Sequence, residues 1–313
     1  MPKRRQNQQT ATKNGGSGRL PLYFYAVKRY TKNQQNPRDL CREDRSPKEH
    51  LKIADAHAHI FPGAIAEKAK ESVGNFYHLP MYTTGFPHTL IEEGSKIGVT
   101  RYLVCSAATT PEQVCSINDF IHRKCLQYPQ FVGFATLHPH MEDPFAEIDR
   151  ILQLGLRGVK FHSDLQQFYA DDPAMLPIYR RLAQVGLPVL FHAGDSRYDY
   201  SQPRRIHNVA EAVPGLTCIA SHFGGYQRWS EAELYLKLPN VYLDTSSSLY
   251  FLTKEDAREM IAYFGPEKFL FGTDFPMWDH TAELRRFLDL GLPEKDRDQI
   301  LYKTFEQVLG VPV

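Results

Sequence analysis

The fold class the sequence predicts is a closed (β/α)8 TIM barrel behind a basic N-terminal extension, and three observations predict it. From Leu51 onward, eight short apolar runs alternate with longer amphipathic stretches, the order that builds a parallel sheet. The runs lack strict polar alternation, as strands covered on both faces do. Residues 51–313 supply about 260 positions, close to the ~250 typical of such a barrel. A doubly wound open sheet is the main rival. Its nucleotide-binding versions place a Gly-rich loop after an early strand, whereas the first run here leads into Asp55-Ala-His-Ala-His.

The expected strands, in order, are Leu51–Ala56, Arg101–Ser106, Phe131–Leu137, Gly158–Phe161, Pro188–Phe191, Leu216–Ser221, Val241–Asp244 and Lys268–Gly272. Between them the amphipathic stretches Pro111–Tyr128, Pro144–Leu154, Pro173–Val185, Pro203–Val213 and Lys254–Tyr263 read as helices. Most open on Pro, which suits a first helical turn, and several stop at or near Gly155, Gly186 or Gly265. Ser72–Pro87 has no periodicity and reads as a long loop after the first strand, on the face where barrels bind ligands.

Residues 1–50 differ in character. They carry a clear basic excess, two amide-rich patches and Gly15-Gly16-Ser17-Gly18, the composition of a flexible extension. The whole chain has 37 Lys and Arg against 36 Asp and Glu. That balance argues against a dedicated nucleic-acid binder. No apolar run approaches the ~18 residues of a membrane span, and the basic start lacks the apolar stretch of a secretory leader. A cytoplasmic protein without a membrane or nucleic-acid partner is expected. Five cysteines are too few for a disulfide scaffold, and Cys105, Cys115 and Cys125 fit no usual metal spacing, so buried free thiols are expected.

Chemistry-bearing residues gather at the ends of the runs. Six of the eight end in His, Lys or Asp: Asp55-Ala-His57-Ala-His59, His138-Pro-His140, Lys160-Phe-His162, His192-Ala-Gly-Asp195, Ser221-His222-Phe-Gly-Gly and Gly272-Thr-Asp274-Phe-Pro. In a barrel the C-terminal strand ends converge on one mouth. Strand alternation puts His57 and His59 on one side, together with a deeper Asp55 of the same parity that suits a structural hydrogen bond. His192 and Asp274 would complete a set of nitrogen and oxygen ligands for a divalent ion, zinc first, with manganese, iron and cobalt as rivals. A water on the open position would ionise near neutral pH.

Asp55-Ala-His-Ala-His, Gly158-Val-Lys-Phe-His, Phe191-His-Ala-Gly, Ser221-His-Phe-Gly-Gly and Phe271-Gly-Thr-Asp-Phe-Pro-Met together resemble the amidohydrolase superfamily. They are most similar to its amidohydrolase-related branch, which includes aminocarboxymuconate-semialdehyde decarboxylase-like proteins. The resemblance covers residues 51–310. It implies a barrel with His57, His59, His192 and Asp274 as metal ligands. It also implies Asp274 as the group that moves a proton and His222 as a polarising or second-metal residue. Lys160 and His162 stay open: a carbamylated Lys160 bridging two ions, or a single ion with Lys160 a plain cation and His162 lining the site. One ion is favoured, because Lys160 lies a layer deeper. Asp195, Arg228 and Trp278, in the following loops, are expected to touch substrate.

The expected function is a metal-dependent hydrolase, in which a metal-bound hydroxide attacks an amide, ester or lactone of a small molecule. The alternative on the same scaffold is a metal-dependent non-oxidative decarboxylase. A further alternative is a non-catalytic binding barrel. The shared motifs do not separate the first two. An Arg clamping a carboxylate would favour decarboxylation, and none stands right after the first strand. Barrels of this kind often form homodimers, but the sequence offers no interface stripe and leaves the assembly open.

Overall fold

The computed structural model describes residues 51–313. The basic extension expected at 1–50 lies outside them. Nine strand segments form a three-stranded and a six-stranded parallel sheet. They make eight barrel strands: Ile53–His59, Val99–Cys105, a third in two pieces (Phe131–Gly133 and Ala135–Thr136), Val159–Phe161, Val189–Phe191, Cys218–Ala220, Val241–Asp244 and Phe269–Leu270. Two junctions close the cylinder. Phe134 N–H donates to Val104 O, and Ala135 N–H to Gly158 O, across the broken third strand. At the other seam the chain after the eighth strand pairs with the first, through an Ala58–Phe275 bridge and Asp274 N–H to His57 O at 2.8 Å.

Burial follows the two-residue period of each strand. Leu103, Val132, Phe134, Leu190, Ile219 and Leu270 point inward and pack as one cluster. Their neighbours Val104, Phe161, Val189, Phe191, Cys218 and Leu243 point outward against the helices. Phe305 and Leu309, from the C-terminal helix Thr304–Leu309, join the inner cluster. The end of the barrel away from the ligand mouth is thus plugged by apolar side chains.

Local signals account for the helices. Pro144–Gln153 starts on Asp143, whose carboxylate accepts from Ala146 N at 2.9 Å, with Pro in the first turn. It stops before Gly155, whose φ is +70°. Pro111–Gln113 with Val114–Gln127, Pro173–Met175 with Leu176–Gln184, Pro203–Ala212 and Lys254–Phe264 occupy the other expected stretches. Ser72–Pro87 differs from expectation. Its first part belongs to the helix Ala66–Tyr77, and only 78–86 is irregular. Ala66 is the helix's sole fully buried residue, so the apolar stripe that reveals most helices is missing. No described helix is long and apolar enough to cross a membrane.

Candidate metal centre and its cavity

The first strand delivers two imidazoles through an irregularity that the sequence does not announce. Its pairing with the second strand shifts register between Asp55 and Ala58. Ala54 and Ala56 belong to the inner core, whereas Asp55 turns to the seam. There Asp55 accepts from Thr273 N at 3.0 Å, Thr273 Oγ1 at 2.6 Å and His57 N at 3.1 Å, and lies 3.0 Å from His280 Nε2. Asp55 and His57 therefore do not share a face as strict alternation had it. Such a bulge re-aims side chains beside a site.

Past the shift, His57 Nε2 and His59 Nε2 stand 3.1 Å apart, and Asp274 Oδ1 lies 3.6 and 3.4 Å from them. Donor atoms about 2.1 Å from one ion lie roughly 3.0–3.5 Å from one another, so this trio has the spacing of ligands. The tautomer agrees. Asp244 Oδ2 accepts from His57 Nδ1 at 2.9 Å, which leaves the His57 Nε2 lone pair facing the other two donors. Asp244 itself is fixed by His222 N and Ser246 N, at 2.9 and 3.0 Å. A second nitrogen pair stands beside the trio: His222 Nε2 and His192 Nδ1 are 3.0 Å apart, and the His222 ring stacks on His57. The residues fit a divalent ion.

Charge is polarised across this floor. Burial would raise the Asp274 carboxyl, but the imidazoles of His57, His59 and His222 hold it far below the usual carboxylate range. Burial lowers His57, His192 and His162, and takes His222 down to about 4, so these rings are neutral at physiological pH. His59 differs. Burial pulls it down, yet the Cys105 sulfur, 3.6 Å from its Nδ1, and Asp274 together push it up to about 9. Asp274 is steered by a chain from neighbouring loops: Trp278 Nε1 donates to Ser247 Oγ at 2.8 Å, and Ser247 Oγ donates to Asp274 Oδ2 at 2.5 Å. Asp274, His222 and Ser247 all have positive φ, a cost that functional sites tolerate.

The sequence-expected residues divide. His57, His59, His162, His192, His222 and Asp274 line one cavity of about 570 Å³. Lys160 lies beneath it, fully buried, with Nζ 3.3 Å from His57 Nε2 and 3.4 Å from Ser221 Oγ. Trp278 acts through Ser247 and is not in the wall. Asp195 and Arg228 do not line the cavity either. Asp195 is consumed by Arg197 at 2.7 Å within its loop, and Arg228 by Glu231 at 3.1 Å in the first turn of the helix Trp229–Tyr235 that it precedes. The thiols also depart from expectation: Cys105 and Cys218 are buried, but Cys115 is exposed and Cys125 half-buried.

Sequence reasoning missed Asp244, Ser246, Ser247, Cys105 and Tyr77. Asp244 ends its strand and could have been found by the rule that found the others. Tyr77 lay within the stretch expected as a loop on the ligand face, but nothing singled it out there, since it arrives on a helix without an apolar stripe. The cavity also has two cations in its wall, Lys68 and Arg123, beside the apolar Phe61, Val73, Ile117 and Phe120.

A family model described as amidohydrolase matches residues 54–311. The chain belongs to the amidohydrolase family. A 2-amino-3-carboxymuconate-6-semialdehyde decarboxylase of Dictyostelium discoideum is 28% identical over 131 residues, which span 40% of this chain and 34% of that relative. The match thus covers about a third of the curated relative's length. Among solved structures, a 5-carboxyvanillate decarboxylase of Sphingomonas paucimobilis superposes with a TM-score of 0.66 at 16% identity, over 83% of this chain and 99% of that one. A dihydroxybenzoic acid decarboxylase of Polaromonas sp. JS666, with bound manganese and the inhibitor 2-nitroresorcinol, gives 0.66 at 16%, over 83% and 97%. Other neighbours of the same fold carry hydrolase names.

Proposed function

We propose that this amidohydrolase-family protein is a metal-dependent carboxy-lyase that decarboxylates a small aromatic or unsaturated acid without oxidation. The observation that carries the reading is the cavity. Its floor is the His57–His59–Asp274 donor set, its walls include aromatic and aliphatic side chains, and Lys68 and Arg123 are among its lining residues. A planar apolar body with an anionic substituent suits such a lining. The decarboxylase names among the relatives support this over hydrolysis, which the sequence had put first.

His57, His59, His192 and Asp274 would hold one divalent ion, zinc or manganese first, with Lys160 a plain cation beneath. Bound there, the ion supplies Lewis acidity and charge neutralisation toward the substrate's oxygens. Decarboxylation breaks the C–CO2 bond and puts a proton on the carbon left behind. Asp274 Oδ1 takes the proton of a substrate hydroxyl and returns it to that carbon as CO2 leaves; the product's oxyanion is reprotonated from solvent. An ionised Asp274 is the starting state this needs, and Ser247 holds its other oxygen so that Oδ1 faces the cavity. Neutral His222 gives its Nδ1 proton to Ser246, so its Nε2 lone pair accepts a hydrogen bond from a substrate hydroxyl.

The test is a panel of 2,6-dihydroxybenzoate, 5-carboxyvanillate and small esters and lactones, presented to protein loaded with zinc or manganese. CO2 release from an aromatic acid, with kcat at least about 10³-fold lower in Asp274→Asn, is expected. Turnover of an ester or lactone without CO2 release would move the assignment to hydrolysis, which the hydrolase-named neighbours keep in view. Two equivalents of tightly held metal would revive a bridging Lys160.

A further inference from the structure

Tyr77 reaches the centre from outside the strand ends. It is the last residue of the helix Ala66–Tyr77, and its side chain lines the cavity. Its hydroxyl lies 2.7 Å from His162 Nε2 and 3.4 Å from His192 Nε2. The ring is wedged edge-on against Phe76 and Tyr226. The helix end that carries it is clamped by the loop after the fifth strand. There Arg197 donates to the Phe76 carbonyl, packs over the rings of Phe76 and Tyr77, and is held by both oxygens of Asp195, at 2.9 and 2.7 Å.

Hydrogen-bond direction decides what the phenol can do. Leu165 N–H donates to His162 Nδ1 at 3.3 Å, so the proton of neutral His162 sits on Nε2 and is given to Tyr77 Oη. When His192 gives its Nδ1 lone pair to a cation, its Nε2 carries a proton. That proton has Asp164 Oδ2 at 3.6 Å and Tyr77 Oη at 3.4 Å as acceptors. Both imidazoles facing Tyr77 then donate. The phenolic proton has no acceptor among them and turns to the cavity.

From this geometry we infer that Tyr77 is a catalytic residue whose hydroxyl donates a hydrogen bond to an oxygen of the bound acid, and that Arg197 and Asp195 are its positioning pair. The inference rests on the metal-dependent reading above.

Three measurements on the metal-loaded full chain test it. In the first, Tyr77→Phe is expected to keep the wild-type metal content while binding 2-nitroresorcinol about tenfold more weakly or worse; equal affinity would overturn the proposal. In the second, Arg197→Gln is expected to weaken the same ligand in the wild-type background and to have no effect in the Tyr77→Phe background. Additive losses would remove the positioning role. The third uses histidine-labelled nitrogen NMR. His162 is expected as the Nε2–H tautomer and His192 with a protonated Nε2; the opposite His162 tautomer overturns the proposal whatever the ligand. Metal uptake without 2-nitroresorcinol binding would count against the aromatic-acid reading alone, and the tautomers would still decide on Tyr77.

Discussion

His57 is the side chain on which the centre turns, because its two nitrogens face different worlds. Nδ1 meets Asp244 at 2.9 Å, and Nε2 meets His59 and Asp274. A carboxylate behind a ligand imidazole orients the ring and raises its basicity. Asp244→Asn is therefore expected to lower metal affinity by ~10–100-fold, read by competition with a chromophoric chelator, while the far-ultraviolet circular dichroism stays unchanged. His59 sets the pH dependence. Its ring is pushed up to about 9, so below that pH a proton occupies the nitrogen a metal needs, whereas its neighbours are already neutral. Metal affinity should fall as pH drops from 9 to 6, with the release of about one proton per ion bound. A flat profile would remove His59 from the ligand set.

The strand-to-loop corners hold these side chains at fixed spacing. After the fifth and sixth strands the chain turns through Gly194, at φ +75°, and through His222, Phe223 and Gly224, all with positive φ. The two corners touch: a Cβ on Gly194 would meet Gly225 backbone at 2.8 Å. Tyr226 N–H closes the contact on Ala193 O at 2.7 Å. Gly194→Ala combines a left-handed backbone with a collision against main chain that cannot swing away. It should destabilise by roughly 2 kcal/mol or more in a denaturant titration, and should lower metal affinity too, since His192 precedes that corner. These corners were legible as sites because polar residues follow apolar runs there. The helix Ala66–Tyr77 was not, because one of its faces borders a ligand cavity instead of the core.

For the molecule as a whole, the barrel separates stability from chemistry along its axis. Phe305, 1% exposed, fills the closed end among Leu103, Phe134, Leu190 and Ile219, on the strand residues that precede the histidines. Phe305→Ala leaves a cavity that the rigid sheet cannot close, and is expected to cost ~3–5 kcal/mol. The same variant, assayed below its melting temperature, should retain the metal stoichiometry of the wild type. Loss of metal in the folded variant would contradict that separation.

The sequence by itself determined the barrel, the order of its strands and most of its helices, and the residue types that gather at the strand ends. It could do so because strand period, buried runs and Pro- or Gly-marked helix ends are local, and because one topology brings every C-terminal strand end to the same place. Only the tertiary structure decided which of those residues meet. The register shift in the first strand sends Asp55 to the seam and His57 to the centre. Asp195 and Arg228 turn to partners two and three residues further along the chain. Asp244 and Tyr77 arrive from elements far apart in the chain. Such pairings depend on distances between residues as many as 218 positions apart, and no local pattern encodes them.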